Sequence, residues 1–313
     1  MNRREFLASS AIAAGAAAIG GRSRTLAWAQ QPAPGPVAVF TPIRRGVGYF
    51  TYSGGTIGFL VNDAGVLAID SQYLEGGKRF VEGIGQRSGG RPIDALINTH
   101  HHADHTGGNI AFKGVAKHVV AHAQAVVLQK QVADAAEEAA KTKPPTQPLV
   151  EQLYADLTFT TSWKTTIGDE TITAAAYTPA HTGGDAIVYF EKANVVHAGD
   201  LVWNRIQTFV DRAGGASALH WIPMLEQIAA KYPADAIYIF GHGAKSQVTG
   251  SRAEVTMMRD YMTALVEFVR GEIKAGKPRD EVIKPTATLK GFEDFGTLTA
   301  RAVTGTFDEL TAK

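Results

Sequence analysis

The sequence predicts a layered α/β fold, and three observations carry that reading. Short apolar runs bounded by Gly, Asn and Asp alternate with helical stretches in both halves of the chain, as sheets covered by helices require. The run Ile93–Thr99 reads as a buried strand directly after a helical stretch. Near the C-terminus, residues 252–274 place Val255, Met258, Met262, Leu265, Val266 and Val269 on one stripe at helical spacing, the mark of a helix packed on a core.

Residues 1–29 read as an export signal rather than as fold. Arg3-Arg4, an Ala/Gly/Ile run to Ile19 and the small-x-small site Ala27-Trp28-Ala29 supply a charged start, an apolar middle and a cleavage site. The apolar run from Phe6 to Ile19 is short for a membrane span of about 20 residues. The pattern resembles a bacterial twin-arginine leader, with Asn2 and Ala8 departing from the usual flanks. It implies transient use of the twin-arginine machinery, maturation between Ala29 and Gln30, and a periplasmic or secreted product. Residues 30–36, with three prolines, are a flexible lead-in.

The main domain then spans residues 37–250. Strands are expected at 47–53, 56–61 and 66–70, separated by Gly54-Gly55 and by Asn62-Asp63-Ala64-Gly65. A helix at about 73–86 precedes the buried strand at 93–99. Next come a strand at 118–121, a long helix at about 123–140 and a Pro-rich break at 143–148. Paired strands between 157 and 177 turn at Gly168-Asp169, and strands at 186–191, 195–198 and 236–240 complete the set. A helix occupies about 217–231, and residues 251–313 form a helical extension packed on the same domain.

Composition narrows the function. The 313 residues are 45% hydrophobic with a net charge of +1, which excludes a mainly disordered chain. There is no cysteine, hence no disulfide, thiolate metal site or cysteine nucleophile. Removing residues 1–29 takes away four arginines and Glu5 and leaves a charge of −2. That balance suits neither a polybasic nucleic-acid binder nor a membrane-surface protein; a small-molecule substrate is expected from the motifs that follow.

The chemistry is concentrated in Asn98-Thr99-His100-His101-His102-Ala103-Asp104-His105-Thr106-Gly107-Gly108. His100 and His102 sit two apart at a strand end, where alternate side chains share one side. Asp104 and His105 follow at once and can turn toward a second point in the same loop. Neutral imidazole and carboxylate are ligands for zinc. His101, between two ligands, points away from the metals as a packing or hydrogen-bonding residue, and His118, His122 and His197 read as ordinary fold residues.

With these residues the chain resembles the metallo-β-lactamase-fold hydrolase superfamily. Later elements agree in order: His181 in Pro179-Ala180-His181-Thr182-Gly183-Gly184-Asp185, Asp200 in His197-Ala198-Gly199-Asp200-Leu201, and His242 in Phe240-Gly241-His242-Gly243. Asp70, closing Val66-Leu67-Ala68-Ile69-Asp70, matches an early aspartate that supports the ligands. The resemblance implies an αββα four-layer sandwich with a metal site at one edge, here carrying a C-terminal helical extension. It implies a first metal on His100, His102 and His181, a second on Asp104, His105 and His242, and Asp200 bridging both. Two Zn²⁺ are expected, with iron or manganese as the other metals that this set accepts. Two such cations lower the pKa of a bridging water so that hydroxide is available near neutral pH. Asp104 is expected to be catalytic as well, positioning that nucleophile and shuttling a proton.

Asp200 favours the thioesterase-, lactonase- and esterase-like branch, because the β-lactamase subclass with His-x-His-x-Asp-His usually lacks that carboxylate. The missing cysteine excludes the β-lactamases that use a thiolate ligand, and His102 stands where diiron oxygen-reducing members carry glutamate. The expected activity is therefore hydrolysis of an ester, thioester or lactone. A β-lactam hydrolase, an iron-dependent sulfur dioxygenase and a phosphodiesterase of the same fold are the alternatives. The loop 202–216 leaves Asp200, so Trp203, Arg205, Phe209, Arg212 and, at the following helix, His220 are candidate substrate residues.

Overall fold

The computed structural model describes residues 36–145 and 149–312. The leader and most of the lead-in lie outside these residues, as does the end of the Pro-rich break. Pro36 to the C-terminus forms one compact unit.

Seven strands form the first sheet: β1 (Val39–Arg44), β2 (Val47–Thr51), β3 (Ile57–Asn62), β4 (Gly65–Ile69), β5 (Ala95–Asn98), β6 (Val119–His122) and β7 (Leu157–Phe159), in that spatial order. The first four pair antiparallel, and β4 to β7 run parallel. Parallel neighbours need crossovers. Helix α1 (Leu74–Ser88) makes the crossover from β4 to β5. The short helix α2 (Ala103–Thr106) lies between β5 and β6, and α3 (Ala123–Thr142) between β6 and β7. The second sheet takes β8 (Ser162–Ile167), β9 (Glu170–Ala176), β10 (Ala186–Phe190), β11 (Val195–His197), β13 (Ile237–Ile239) and β15 (Thr249–Gly250). Two very short strands, β12 (Trp203–Asn204) and β14 (His242–Gly243), pair parallel beside it.

Side-chain alternation builds the layers. In β4, Leu67 and Ile69 face the second sheet with Ile97 of β5, while Val66 and Ala68 face α1 with Leu96. The inter-sheet core continues through Ile172, Val188, Val195 and Ile239. Phe80 and Ile84 of α1 cover the outer face of the first sheet. The outer face of the second is covered by α4 (Ala218–Lys231), α5 (Arg252–Lys274) and, after the one-turn α6 (Arg279–Val282), by α7 (Ala300–Thr311). The result is the expected αββα sandwich. The stripe from Val255 to Val269 is buried in it, and Ser251 opens α5 with a capping box closed by Glu254.

Strand and helix positions follow the expectations closely, with one difference of substance. The apolar run at 157–159 does not pair with the strands after it. It joins β6 as the last strand of the first sheet, and the chain crosses to the second sheet before β8. Strand β1 lies outside the expected strand set, whereas α6 and α7 fall within the helical extension expected at 251–313.

Candidate metal centre

The loops after β5, β11 and β13 open at one edge of the sandwich, and they carry most of the predicted ligands. His100 and His102 follow β5, Asp104 and His105 stand on α2, and Asp200 lies on the turn after β11. His181 sits between β9 and β10, and His242 is in β14.

Three imidazole nitrogens converge. His102 Nδ1 lies 3.1 Å from His100 Nε2 and 3.0 Å from His181 Nε2. The outer nitrogen of each ring has a partner: His181 Nδ1 meets the Phe209 carbonyl at 3.1 Å, and His102 Nε2 meets Asp211 Oδ2 at 2.9 Å. Those partners only accept, so these two outer nitrogens carry the protons. His100 Nδ1 faces Thr99 Oγ1 at 3.0 Å, and that hydroxyl already donates to Asp70. All three inner nitrogens therefore present lone pairs to one point, the arrangement outer hydrogen bonds enforce in metal sites. Burial above all, helped by neighbouring histidines, keeps His181 near pKa 3 and His100 well below the ordinary range, so these rings stay neutral.

The second group is Asp104, His105 and His242. His242 Nε2 lies 3.0 Å from Asp104 Oδ2 and 3.3 Å from His105 Nε2. Asp70 is fully buried, accepts from the Thr99 amide and hydroxyl, and holds His105 Nδ1 at 2.8 Å, which turns Nε2 inward. Burial opposes charge on His105 and His242, but Asp200 and its fellow carboxylates outweigh it; His105 is raised well above its ordinary value and His242 to about 9. Burial likewise works against ionising Asp104, yet His105 and His242 bring it down to about 2. Positive charge is thus favoured at this point, and protons supply it where no cation is bound.

Asp200 stands between the groups. Its Oδ2 is 3.5 Å from His181 Nε2 and 3.4 Å from His242 Nε2, and its Oδ1 is 3.0 Å from His105 Nε2. Oδ1 is buried and faces the His105 ring nitrogen. A buried carboxylate among inward-facing imidazole nitrogens is costly unless positive charge, from protons or a metal cation, joins them. Nitrogen and carboxylate donors in these two groups fit divalent metal.

Two glycines give the site its tightness. A Cβ on Gly241 would fall 1.8 Å from Asp200 Oδ1, and one on Gly55 would fall 2.2 Å from the His105 ring. Both backbones approach the ligands as only glycine allows. The same segments lace the sheets: Gly55 N donates to the Asp104 carbonyl, and Thr56 donates through its amide and hydroxyl to the Gly241 carbonyl. In the sequence, Gly54-Gly55 reads only as a strand separator.

Residues 55–242 match the model of the family described as Metallo-beta-lactamase superfamily. The chain belongs to the metallo-beta-lactamase superfamily. A solved structure, "Metallo-beta-lactamase from Pontibacter korlensis", matches at 19% identity with a TM-score of 0.56, covering 72% of this chain and 99% of that one. At that identity the likeness speaks for the fold. No curated protein matches the chain in sequence. Superfamily membership makes this a metal-dependent hydrolase fold, and the His/Asp groups fit the superfamily's use of metal.

Burial and contacts place the remaining candidates. Trp203 is buried with its ring 4.7 Å from that of His242, and Phe209 stacks on His102 at 5.6 Å. Arg205 is engaged by Asp294 and Asn204, and Arg212 by the Ala216 carbonyl, so both guanidinium groups are already held. His220 is exposed on the first turn of α4. His101 is buried with Nε2 3.6 Å from Asp211, His118 pairs with Asp156, and His197 holds the Thr56 carbonyl. Asp211 is the functional residue that sequence reasoning missed. It sits in a loop more than a hundred positions from the histidine that it touches, and no motif marks it.

Proposed function

We propose that this chain is an exported dinuclear-zinc hydrolase that cleaves an ester, thioester or lactone. One observation carries the reading: Asp200 reaches both ligand groups through one buried carboxylate. His100, His102 and His181 would hold one zinc, and Asp104, His105 and His242 the other. Two bound cations supply Lewis acidity and make hydroxide available from water near neutral pH.

The protein's own groups do the rest. Asp104 is ionised, about a fifth exposed, and so can take a proton from water at the open side of the site and return it to the leaving group. Asp70 and Asp211 keep the His105 and His102 rings oriented. The buried Trp203 and the half-buried Phe209 exclude water beside them.

Protein purified without added metal is expected to carry two zinc equivalents and to turn over members of a lactone and thioester panel. Full activity with one metal or fewer would overturn the dinuclear reading. Turnover confined to β-lactams or phosphodiesters would change the substrate class, and oxygen uptake with a persulfide would replace hydrolysis by sulfur oxidation. The leader supports export in folded form, since paired arginines address the folded route. Arg3→Lys combined with Arg4→Lys is expected to strand metal-loaded protein in the cytoplasm; unchanged export would refute that route.

A further inference from the structure

Helix α3 is unusual in how little of it the fold uses. Among its 20 residues only Ala125, Leu128 and Gln129 are buried, all in the first half. Beyond them Val132, Ala133 and Ala136 continue the stripe at helical spacing, yet Val132 is 55% exposed. That stripe faces a cavity of about 520 Å³ whose opposite walls include Tyr73 and Leu149, each about half exposed. His101, His102, Ala103, Thr106 and Gly107 of the motif also line the cavity, His102 being the candidate ligand among them.

We propose that this groove binds an uncharged apolar chain or ring of the substrate, continuous with the bond cleaved at the metal centre. The proposal rests on the hydrolase reading and names the substrate class. Three observations select this occupant. His102 belongs both to the ligand cluster and to the groove lining, so the groove borders the centre. The volume is that of a small-molecule pocket. The lining contains two acids, Glu75 and Glu137, and no Lys or Arg among the described residues. Glu75 is already paired with Arg79 at 3.0 Å, which leaves Glu137 to repel an anionic chain end. An apolar helical stripe left open beside a reactive centre gains by covering it with substrate.

The test compares acetyl, butyryl, hexanoyl and octanoyl esters or thioesters of one leaving group. The specificity constant kcat/KM should rise about threefold per added methylene until the groove is filled, as expected for partial burial of each CH₂. Val132→Glu, a change at an exposed position, should collapse the octanoyl-to-acetyl ratio at least tenfold. Glu137→Lys should favour a chain ending in carboxylate over its neutral counterpart by about two- to fivefold, the range of an exposed ion pair. Calorimetric binding of butanamide, hexanamide and octanamide probes the groove without turnover and should strengthen with length in the native protein but not in Val132→Glu. Length-dependent amide binding without any ester or thioester hydrolysis would leave the groove standing and overturn the hydrolase reading. Hydrolysis with no length dependence would do the reverse. Loss of a dimer in Val132→Glu, seen by light scattering with flat amide binding, would reassign the groove to contact between copies and overturn the proposal.

Discussion

Asp104→Asn is expected to lower kcat on an acyl substrate by roughly 10²- to 10⁴-fold, the contribution of a positioned proton-transfer group. Asn keeps the shape of the side chain and one oxygen for the contact now made with His242 at 3.0 Å. It cannot take a proton. In the native chain Asp104 is held ionised, with a pKa of about 2, because His105 and His242 outweigh the cost of its burial. It is therefore free of a proton across the neutral range and has an oxygen that can accept one. Since Asp104 also belongs to the proposed second ligand group, metal content must be measured alongside rate. A loss of turnover with two metals retained supports the proton-transfer role, and near-native turnover with two metals bound removes it.

Asp211→Ala is expected to weaken retention of the metal on His100, His102 and His181 by about 10- to 100-fold, the usual cost of losing an outer partner of a ligating histidine. Asp211 Oδ2 is the acceptor that keeps the proton on His102 Nε2 and leaves Nδ1 bare toward the centre. Without it the ring is free to rotate or to place its proton on the wrong nitrogen. Asp211 Oδ1 also accepts from the Gly214 amide, so truncation loosens the loop as well. Asp211→Asn separates the two effects. Its amide oxygen still accepts from His102, and metal affinity should return to within a few-fold of native. Competition with a chromogenic chelator reads both variants. Equal affinity in Asp211→Ala would show that the contact does not orient the ring.

Much of this centre is legible in the sequence because its residues cluster at strand ends. His100, His102, Asp104 and His105 fall within one short loop, and His181, Asp200 and His242 each close or precede an apolar run. The layers are legible for a related reason: alternation in strands such as β4 and the stripe on α5 record burial directly. Other features leave no local trace. The pairing of β7 with β6 depends on a crossover, and a three-residue strand carries too few side chains to declare its sheet. Asp211 is an acid in a polar loop until His102 is brought to it. The glycines at 55 and 241 are distinguished only by what their missing Cβ atoms would strike.

The second half of α3 has a consequence for how such an enzyme diversifies. Val132, Ala133 and Ala136 take little part in the core, so exchanging them costs little fold stability; exposed positions usually change it by about 0.5 kcal/mol or less. The residues proposed as metal ligands stand in loops and turns at strand ends, whereas the neighbouring wall is almost free of structural duty. Selection can therefore retune what the centre is offered without disturbing the centre. On the proposed reading, reactivity and recognition rest on separate parts of this chain.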